Sequence, residues 1–554
     1  MAIGGRRALL TVGLGVLSAL AGALLLWARL GSSPSGEQLL QEARLALQRG
    51  EYAQAEALAL RVSSQDSRWG AARLIAGEAA TRNDRPEQAI NYYLAVPNDG
   101  SDRATLALFS GAELCREVGR LTEADAGYNA VLRVAPQNPA THERLAFLLG
   151  VTGRRWESRP HFLFLAHSGS ASIEELVLLA DLERPVEQGE YLRRCADRHP
   201  HDVLVQLGLA NLAQQEGRTD AARAGLKRVI EQSPELVAAH ALLGELLVDA
   251  DDDVFNQWHQ ELPQNADESP DIWFVRGLWA RRRGELRVAA RCFWEAVHRA
   301  PVHRRATYQL GQVLVSLGEN SGRDFAGLSS KYYELGHELD QVLRSGGHYE
   351  AAVHRTTDLL DETGRVLEAC AWALLASKAF PESDWPHEIL QRRSPLLRED
   401  LPQVLPEQNL SSRYDYSHFP DHRQLLSRPA TATTREHASS SGGEIRFVDS
   451  PEAGIEHVYC NGADPETKGA RMFEQTGGGI GVLDLDGDGW PDMYLTQGAN
   501  WAHGADHPTL TADLHDRLYL NRDGQRYRDV TSQVGLAHRG FGQGCAVGDF
   551  DNDG

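Results

Sequence analysis

Cysteine and basic residues are both scarce in this chain of 554 residues. The six cysteines include no CxxC pair, which excludes a zinc ribbon, a thioredoxin-type motif and a disulfide-dense scaffold. Lysine and arginine together number 56 against 77 acidic residues, so the formal net charge at pH 7 is −21. An acidic chain lacks the basic surface that phosphate backbones require, and we therefore expect no nucleic-acid partner.

Familiar catalytic motifs are also missing from the sequence. It contains no HExxH, GxSxG, P-loop or dinucleotide GxGxxG pattern. His142 and His337 are each followed by a glutamate, but neither has the second histidine that a zinc protease requires. The sequence therefore predicts no catalytic residues, no organic cofactor and a protein that is not an enzyme.

The N-terminus carries a long uncharged run. Ala8–Trp27 has 20 residues without a charge, between Arg6-Arg7 and Arg29. A helix of that length spans about 30 Å, the hydrocarbon thickness of a bilayer. This predicts a transmembrane signal anchor within residues 1–30, with the bulk of the chain outside the cytoplasm, in a periplasm or at the cell surface. The alternatives are a cleaved signal peptide, which would make the protein secreted, and a helix buried in the fold.

Residues 37–396 repeat with a period near 34. One small residue recurs at steps of 34, 35, 34, 34, 30, 34, 33 and 34 residues. These positions are Ala43, Gly77, Ala112, Ala146, Ala180, Ala210, Gly244, Gly277 and Gly311. The pattern indicates an array of short antiparallel helix pairs, in which the small residue lets the second helix approach the first closely.

Other positions within the period fit the same interpretation. Large side chains are expected to pack beside the small residue, namely Tyr128, Phe162, Leu226 and Phe293. Glycines are expected to break the chain between the two helices, namely Gly119, Gly153, Gly217 and Gly284. Prolines are expected where second helices end, namely Pro136, Pro234 and Pro301.

These residues resemble the tetratricopeptide repeat family, whose period is 34. The resemblance implies a right-handed superhelix with a concave groove for a peptide or protein partner. Residues 315–349 fit the period poorly and predict an inserted or irregular helix pair. Residues 397–445 contain scattered prolines and a Ser/Gly run, which indicates a linker.

Four spaced aspartates mark the next region, 446–554, where short apolar runs between glycines predict β-strands. Asp484, Asp486, Asp488 and Asp492 occupy positions 1, 3, 5 and 9 of one loop. Carboxylates so crowded repel one another unless a cation neutralises them, and a set of oxygen ligands suits calcium. The backbone carbonyl of Trp490 would supply a ligand at position 7.

The loop is not an EF-hand. That motif requires a glutamate at position 12, which is Leu495 here, and flanking helices in place of the strands predicted for this loop. The loop recurs 65 residues later, where Asp549, Asp551 and Asp553 fill positions 1, 3 and 5. Between the two loops, residues 518–531 read as a strand, a tight turn and a second strand.

Residues 446–554 look like the FG-GAP/VCBS repeats of integrin-α-type β-propellers. They are more closely similar to the cartilage-acidic-protein-like group that carries the ASPIC/UnbV domain. That resemblance rests on Phe447-Val-Asp, Ala453-Gly-Ile, Met472-Phe-Glu-Gln-Thr-Gly-Gly-Gly and Leu518-Tyr-Leu-Asn, together with the first aspartate loop. The resemblance implies calcium-binding loops between paired strands of a propeller. Fewer than two such repeats are present, so we expect a partial propeller in a truncated chain.

The expected fold is therefore mostly α, with a transmembrane helix, an α-solenoid and a partial β-propeller. The expected function is a membrane-anchored, extracytoplasmic scaffold for protein–protein interaction with calcium-binding repeats, acting in adhesion or complex assembly. Two alternatives remain. One is a propeller-based hydrolase or lyase whose catalytic blades lie beyond this chain, and the other is a chaperone-like assembly factor that uses the tetratricopeptide groove.

Overall fold

The chain forms two compact units, which divide between residues 431 and 432. The structure is a computed structural model that describes residues 34–186, 188–398, 400–423, 453–462, 477–483, 485, 490–502, 505, 507–521 and 526–547. Within these ranges no helix is both long and apolar enough to cross a membrane. The predicted anchor, Ala8–Trp27, lies outside the described residues.

Within the described ranges, the first unit is an array of ten helix pairs. The first five pairs are α1 (Gly36–Gln48) with α2 (Tyr52–Leu60), α3 (Trp69–Arg82) with α4 (Pro86–Leu94), α5 (Asp102–Val118) with α6 (Leu121–Val134), α7 (Pro139–Val151) with α8 (Arg155–Ser168), and α9 (Ile173–Ala180) with α10 (Gly189–Arg198). The other five are α11 (Val203–Gln215) with α12 (Thr219–Gln232), α13 (Val237–Leu247) with α14 (Asp252–Gln260), α15 (Pro270–Arg282) with α16 (Leu286–Arg299), α17 (Arg304–Ser316) with α18 (Gly322–Ser345), and α19 (Glu350–Glu362) with α20 (Val366–Ala379). Helices α21 (Trp385–Arg393) and α22 (Leu410–Arg413) follow, and 3₁₀ turns cover Gln264–Glu268 and Ser394–Leu396.

Close packing within a pair depends on the small residue of its first helix. A Cβ atom added at Gly277 would lie 2.4 Å from the Phe293 ring, and one added at Gly244 would lie 2.4 Å from the Trp258 ring. Such distances are sterically forbidden, so only glycine fits at these two positions. All nine small residues of the repeat lie in the first helices of successive pairs. The predicted helix pairs and their register are therefore confirmed.

The four predicted chain-breaking glycines end first helices as expected. Their φ angles lie between 74° and 95°, in the left-handed region that residues with a Cβ atom rarely adopt. Each is followed within two residues by the start of the second helix.

Helix α18 differs from the sequence prediction. Residues 315–349 do not form an irregular helix pair, because Gly322–Ser345 is one continuous helix of 24 residues. Its buried side chains fall on one face at steps of 7, 3, 4 and 3 residues, namely Phe325, Tyr332, Leu335, Leu339 and Val342. A single amphipathic face of that length supports an uninterrupted second helix for the ninth pair.

The array does not continue as a regular open superhelix. In the fifth pair, α9 packs against α8 and α20, whereas α10 packs against α11. Helix α11 also packs against α6. The tenth pair is thereby brought against the fourth and fifth, and a shared apolar cluster that includes Phe162, Leu176, Leu335 and Trp372 joins them. The 30-residue step between Ala180 and Ala210 marks this split in the sequence.

Residues 400–423 fall within the predicted linker, yet they pack onto the helical array. The indole Nε1 of Trp294 donates a hydrogen bond to the Tyr414 carbonyl at 2.7 Å. Tyr416 and Phe419 are buried at 6% and 5% exposure. We call residues 400–423 the strap.

The second unit contains a four-stranded antiparallel sheet in the order β1-β2-β3-β4. The strands are β1 (Ile480–Leu483), β2 (Asp492–Leu495), β3 (Arg517–Asn521) and β4 (Tyr527–Asp529), and a short helix α23 (Thr531–Val534) follows. The sheet confirms the strands predicted on both sides of the first aspartate loop and the hairpin between the loops. The β-propeller itself remains a prediction.

Candidate functional site

The first aspartate loop joins two strands of the sheet. Leu483, at the end of β1, pairs with Asp492, at the start of β2, so the loop is the connection of a β-hairpin. Asp484, Asp486 and Asp488 lie outside the described residues. Asp549, Asp551 and Asp553 of the second loop also lie outside them. Of the predicted ligands, the structure describes Trp490 and Asp492.

Asp492 is fully buried, and both of its carboxylate oxygens are hydrogen-bonded. The backbone N–H of Leu485 donates to Oδ2 at 2.8 Å, and that of Asn521 donates to Oδ1 at 2.7 Å. The first bond closes the loop, and the second ties it to β3. A carboxylate oxygen has two lone pairs, so each keeps one for a cation. Asp492 therefore has a structural role that is compatible with metal ligation.

The Trp490 side chain is 46% exposed beside the hairpin. Its predicted role uses the backbone carbonyl and does not depend on where the indole lies. Among the described residues, no group of three or more His, Cys, Asp or Glu side chains could hold a metal ion. Because three of the four aspartates fall outside that set, calcium at this loop stays a prediction.

The segment that precedes the second loop lies alongside β1. A Cβ atom added at Gly479 would lie 2.2 Å from the backbone nitrogen of Cys545, and one at Gly481 would lie 2.7 Å from Val547. The segments before the two loops, which match in sequence, are thus neighbours in space. Cys460 and Cys545 are free thiols, and Cys460 lies 3.3 Å from the Asn500 side-chain oxygen.

A second candidate site lies among the first helices of three successive pairs in the array. It is a cavity of about 380 Å³. We call it the groove pocket. Its walls include Arg116 of α5, Arg144 and Phe147 of α7, Phe162 of α8, and Glu174 and Leu178 of α9. Its volume lies in the lower range of ligand-binding pockets. The tetratricopeptide resemblance implied a groove for a partner, but it did not identify these residues.

The two arginines of the groove pocket are held by carboxylates. Arg116 and Arg144 lie 3.3 Å and 3.1 Å from the same oxygen of Glu113. Burial acts to raise the pKa of the Glu113 carboxyl, but hydrogen bonds from Tyr128 and Arg116 outweigh burial and lower it. Glu143 also forms an ion pair with Arg144. The positive charge of this wall is therefore neutralised within the wall.

Residues 181–186, which follow α9, form ion pairs with the start of α17. Glu183 is the central residue of this segment, with a side chain that is 3% exposed. Its carboxylate lies 2.5 Å from Nδ1 of His303 and 3.4 Å from Nε of Arg305. Asp271 lies 3.3 Å from Nε2 of the same histidine and 3.6 Å from Arg155. We call these five residues the Glu183 cluster.

The Glu183 cluster compensates its own charges. Burial alone would raise the pKa of Glu183, but the charge of His303 and Arg305 lowers it instead. Burial alone would likewise raise the pKa of Asp271, and Arg155 and His303 lower it. Buried ionised groups are tolerated when they are paired in this way. The cluster therefore fixes residues 181–186 in place and leaves no open charge for a ligand.

Sequence reasoning did not identify the groove pocket, the Glu183 cluster or the strap. Glu183 lies 28 positions from Arg155 and more than 85 positions from the other three members of its cluster, so no local spacing joins them. The one available signal was the 30-residue step between Ala180 and Ala210, which is shorter than the others. It marks the repeat whose two helices do not pack as a regular pair.

Several solved structures are similar to part of this chain. A chain of the APC/C hetero-tetramer Cut9-Hcn1 is 14% identical with a TM-score of 0.26, over 71% of this chain and 75% of that one. A tetratricopeptide repeat protein from Parabacteroides merdae is 15% identical with a TM-score of 0.20, over 50% and 98%. The tetratricopeptide domain of P58(IPK) is 13% identical with a TM-score of 0.21, over 65% and 97%. Scores this low carry no argument about function.

Family models give the clearer result. Tetratricopeptide repeat models match residues 40–104, 189–251 and 274–322. An FG-GAP-like repeat model matches residues 484–554, which include both aspartate loops. The sequence matches no protein of curated function. The chain therefore contains tetratricopeptide repeats followed by an FG-GAP-like repeat.

Proposed function

We propose that this protein is a scaffold for protein–protein interaction, in which the helical array binds a peptide segment of a partner. The observation that carries the proposal is the groove pocket, an apolar-floored cavity bordered by first helices of three successive pairs. Tetratricopeptide repeats generally present such a surface to extended ligands. A role in adhesion or complex assembly follows from this proposal.

Calcium has a structural role in the proposal. Asp484, Asp486, Asp488 and Asp492, with the carbonyl of Trp490, bind one ion, and Asp549, Asp551 and Asp553 contribute to a second. The hydrogen bonds of Asp492 support this arrangement, because they close the hairpin that carries the other three aspartates. A cation would relieve the repulsion among those carboxylates.

Membrane attachment is also part of the proposal. The uncharged run Ala8–Trp27 would anchor the protein, and both units would lie outside the cytoplasm. Protease treatment of intact cells or spheroplasts tests this orientation. Protection of the array from added protease would contradict it.

Peptide binding can be tested by selecting a random peptide display library on the immobilised full chain. A photo-crosslinking residue at position 143, on the rim of the groove pocket, is expected to capture the selected peptides. The same residue at position 190 serves as the matched control, because Glu190 is an exposed glutamate in the first turn of α10. Equal capture at both positions, or no selected peptide, would refute peptide binding in the groove.

Calcium binding can be tested by calorimetric titration of the full chain. The double variant Asp486→Ala with Asp488→Ala is expected to abolish the saturable binding at the first loop. The control variant Asp249→Ala with Asp253→Ala removes two exposed carboxylates from the array and is expected to bind calcium normally. Asp492→Asn removes the negative charge of one predicted calcium ligand but keeps an oxygen acceptor for one of the two backbone hydrogen bonds. It therefore separates the role of Asp492 in calcium binding from its role in closing the hairpin. Identical titrations for all variants would refute the site.

A further inference from the structure

We infer that the groove pocket binds a large apolar side chain that is followed or preceded by a lysine or arginine in the partner's peptide. The inference rests on the proposed peptide-binding function and specifies the chemistry of that site.

The floor of the groove pocket is apolar. Phe147, Phe162 and Leu178 come from three different helices, and Phe162 is only 4% exposed. A cavity of about 380 Å³ over such a floor has room for one large side chain and part of the adjoining backbone. Burial of a leucine, phenylalanine or methionine side chain there would remove apolar surface from water on both partners.

The charge that remains at the pocket is negative. Glu113 and Glu143 neutralise Arg144 and Arg116, as described above. Glu175 accepts a hydrogen bond from the Ser172 backbone in the capping box of α9. Glu174 is exposed, and within the described ranges no cation forms an ion pair with it. A basic residue next to the apolar anchor would complement both glutamates.

Segment 181–186 offers an acidic partner residue no comparable position. The basic residues nearest to segment 181–186 are already paired, since Arg305 binds Glu245 at 2.8 Å as well as Glu183. Arg184 of the segment forms an ion pair with Asp340. These arginines are therefore neutralised by carboxylates of the chain itself, whereas the groove pocket keeps a negative charge.

A charge-swap experiment tests the inference with peptides selected on the full chain. Synthetic copies of a selected peptide, labelled with fluorescein, are titrated against the wild-type protein and against Glu174→Lys. Glu190→Lys is the matched control, because it reverses an exposed first-turn glutamate on α10. We expect Glu174→Lys to weaken binding about 2- to 10-fold, the range for reversing an exposed charge pair, and Glu190→Lys to change nothing.

Two peptide changes complete the test. Replacing the apolar anchor by alanine is expected to weaken binding by about 10-fold or more. Replacing the basic residue by glutamate is expected to weaken binding to the wild-type protein and to restore it with Glu174→Lys. A misfolded variant cannot produce that restoration.

The outcomes separate the inference from the proposed function. Selected peptides that crosslink at position 143 but lack a basic residue, or that respond equally to Glu174→Lys and Glu190→Lys, overturn the inference and leave peptide binding intact. Failure to select any peptide that crosslinks at position 143 overturns both.

Discussion

His303 illustrates how much a single buried residue can depend on its surroundings. Its imidazole is fully buried between Glu183 and Asp271, and Arg305 and Arg155 lie on the far sides of those carboxylates. Burial alone would lower the pKa of His303, but the two carboxylates outweigh burial and raise it. The folded array therefore stabilises the imidazolium relative to an imidazole in water.

The raised pKa of His303 predicts a pH-dependent contribution to stability. A raised folded-state pKa gives stability that is fully present below the unfolded value of about 6.5 and is lost as the pH rises through the folded value. We expect His303→Gln to lower the melting temperature most at about pH 6, with the difference from wild type shrinking at higher pH. The measurement is thermal melting between pH 6 and 9.

A surface histidine provides the control for this prediction. His354 lies 3.6 Å from Asp358 and is 41% exposed, so His354→Gln is expected to have a small effect throughout the range. A deficit of His303→Gln that grows with pH would contradict the assigned imidazolium. Glu183 and Asp271 have lowered pKa values, so they contribute to the stability of the fold at the acidic end of the pH range. Their contribution is present above about pH 4 and is lost as the pH falls below it.

Among the helices, α9 and α20 show how a repeat array can be closed by a polar contact. The Arg365 guanidinium, 1% exposed, donates hydrogen bonds to the carbonyls of Ala180 and Leu179 at 2.9 Å and 3.1 Å. These carbonyls end α9 and have no partner within their own helix. Arg365 also pairs with Glu368, which is 2% exposed. One side chain thus caps α9 and fixes the start of α20 against it.

Loss of Arg365 is predicted to destabilise the array strongly. Arg365→Ala would leave Glu368 buried without its cation and two helix-end carbonyls without a donor. Breaking a buried pair in this way costs about 3–5 kcal/mol. The measurement is the denaturant midpoint of the helical signal by circular dichroism.

Arg392 offers a matched comparison on the surface of the same region. It lies 2.7 Å from Asp361 but is 57% exposed, and exposed pairs contribute about 0–1 kcal/mol. We expect Arg392→Ala to shift the denaturant midpoint little. Similar shifts for Arg365→Ala and Arg392→Ala would contradict the capping role of Arg365.

At the scale of the whole molecule, the two compact units are predicted to unfold separately. Each has its own set of internal contacts, and such units generally unfold as independent transitions. A ligand raises the stability of the unit that binds it by mass action. Calorimetry of the full chain should therefore show two transitions, of which calcium raises the one that Arg365→Ala leaves unchanged. An upward shift of the Arg365-sensitive transition by calcium would contradict the proposed calcium site.

The sequence by itself determined most of the helix pairs, their register and the strands beside the first aspartate loop. The 34-residue period identified helix pairs because the contact between a small residue and an aromatic ring, such as Gly277 with Phe293, lies within one repeat. The strands beside the first aspartate loop followed from residues adjacent to it, and β1 and β2 pair as that pattern required. Local spacing encodes such features, so one sequence suffices to predict them.

Only the tertiary structure decided how the array folds back and which groups it buries. Arg120, Arg154 and Arg365 all follow a repeat glycine, yet Arg365 alone of these three reaches the end of a distant helix. The Glu183 cluster, the groove pocket and the strap likewise join residues that lie far apart in the chain. Such contacts produce no periodic pattern in the sequence, because they depend on which repeats pack against each other. The split between α9 and α10 sets that geometry, and the packing of α20 against α8 and α9 completes it.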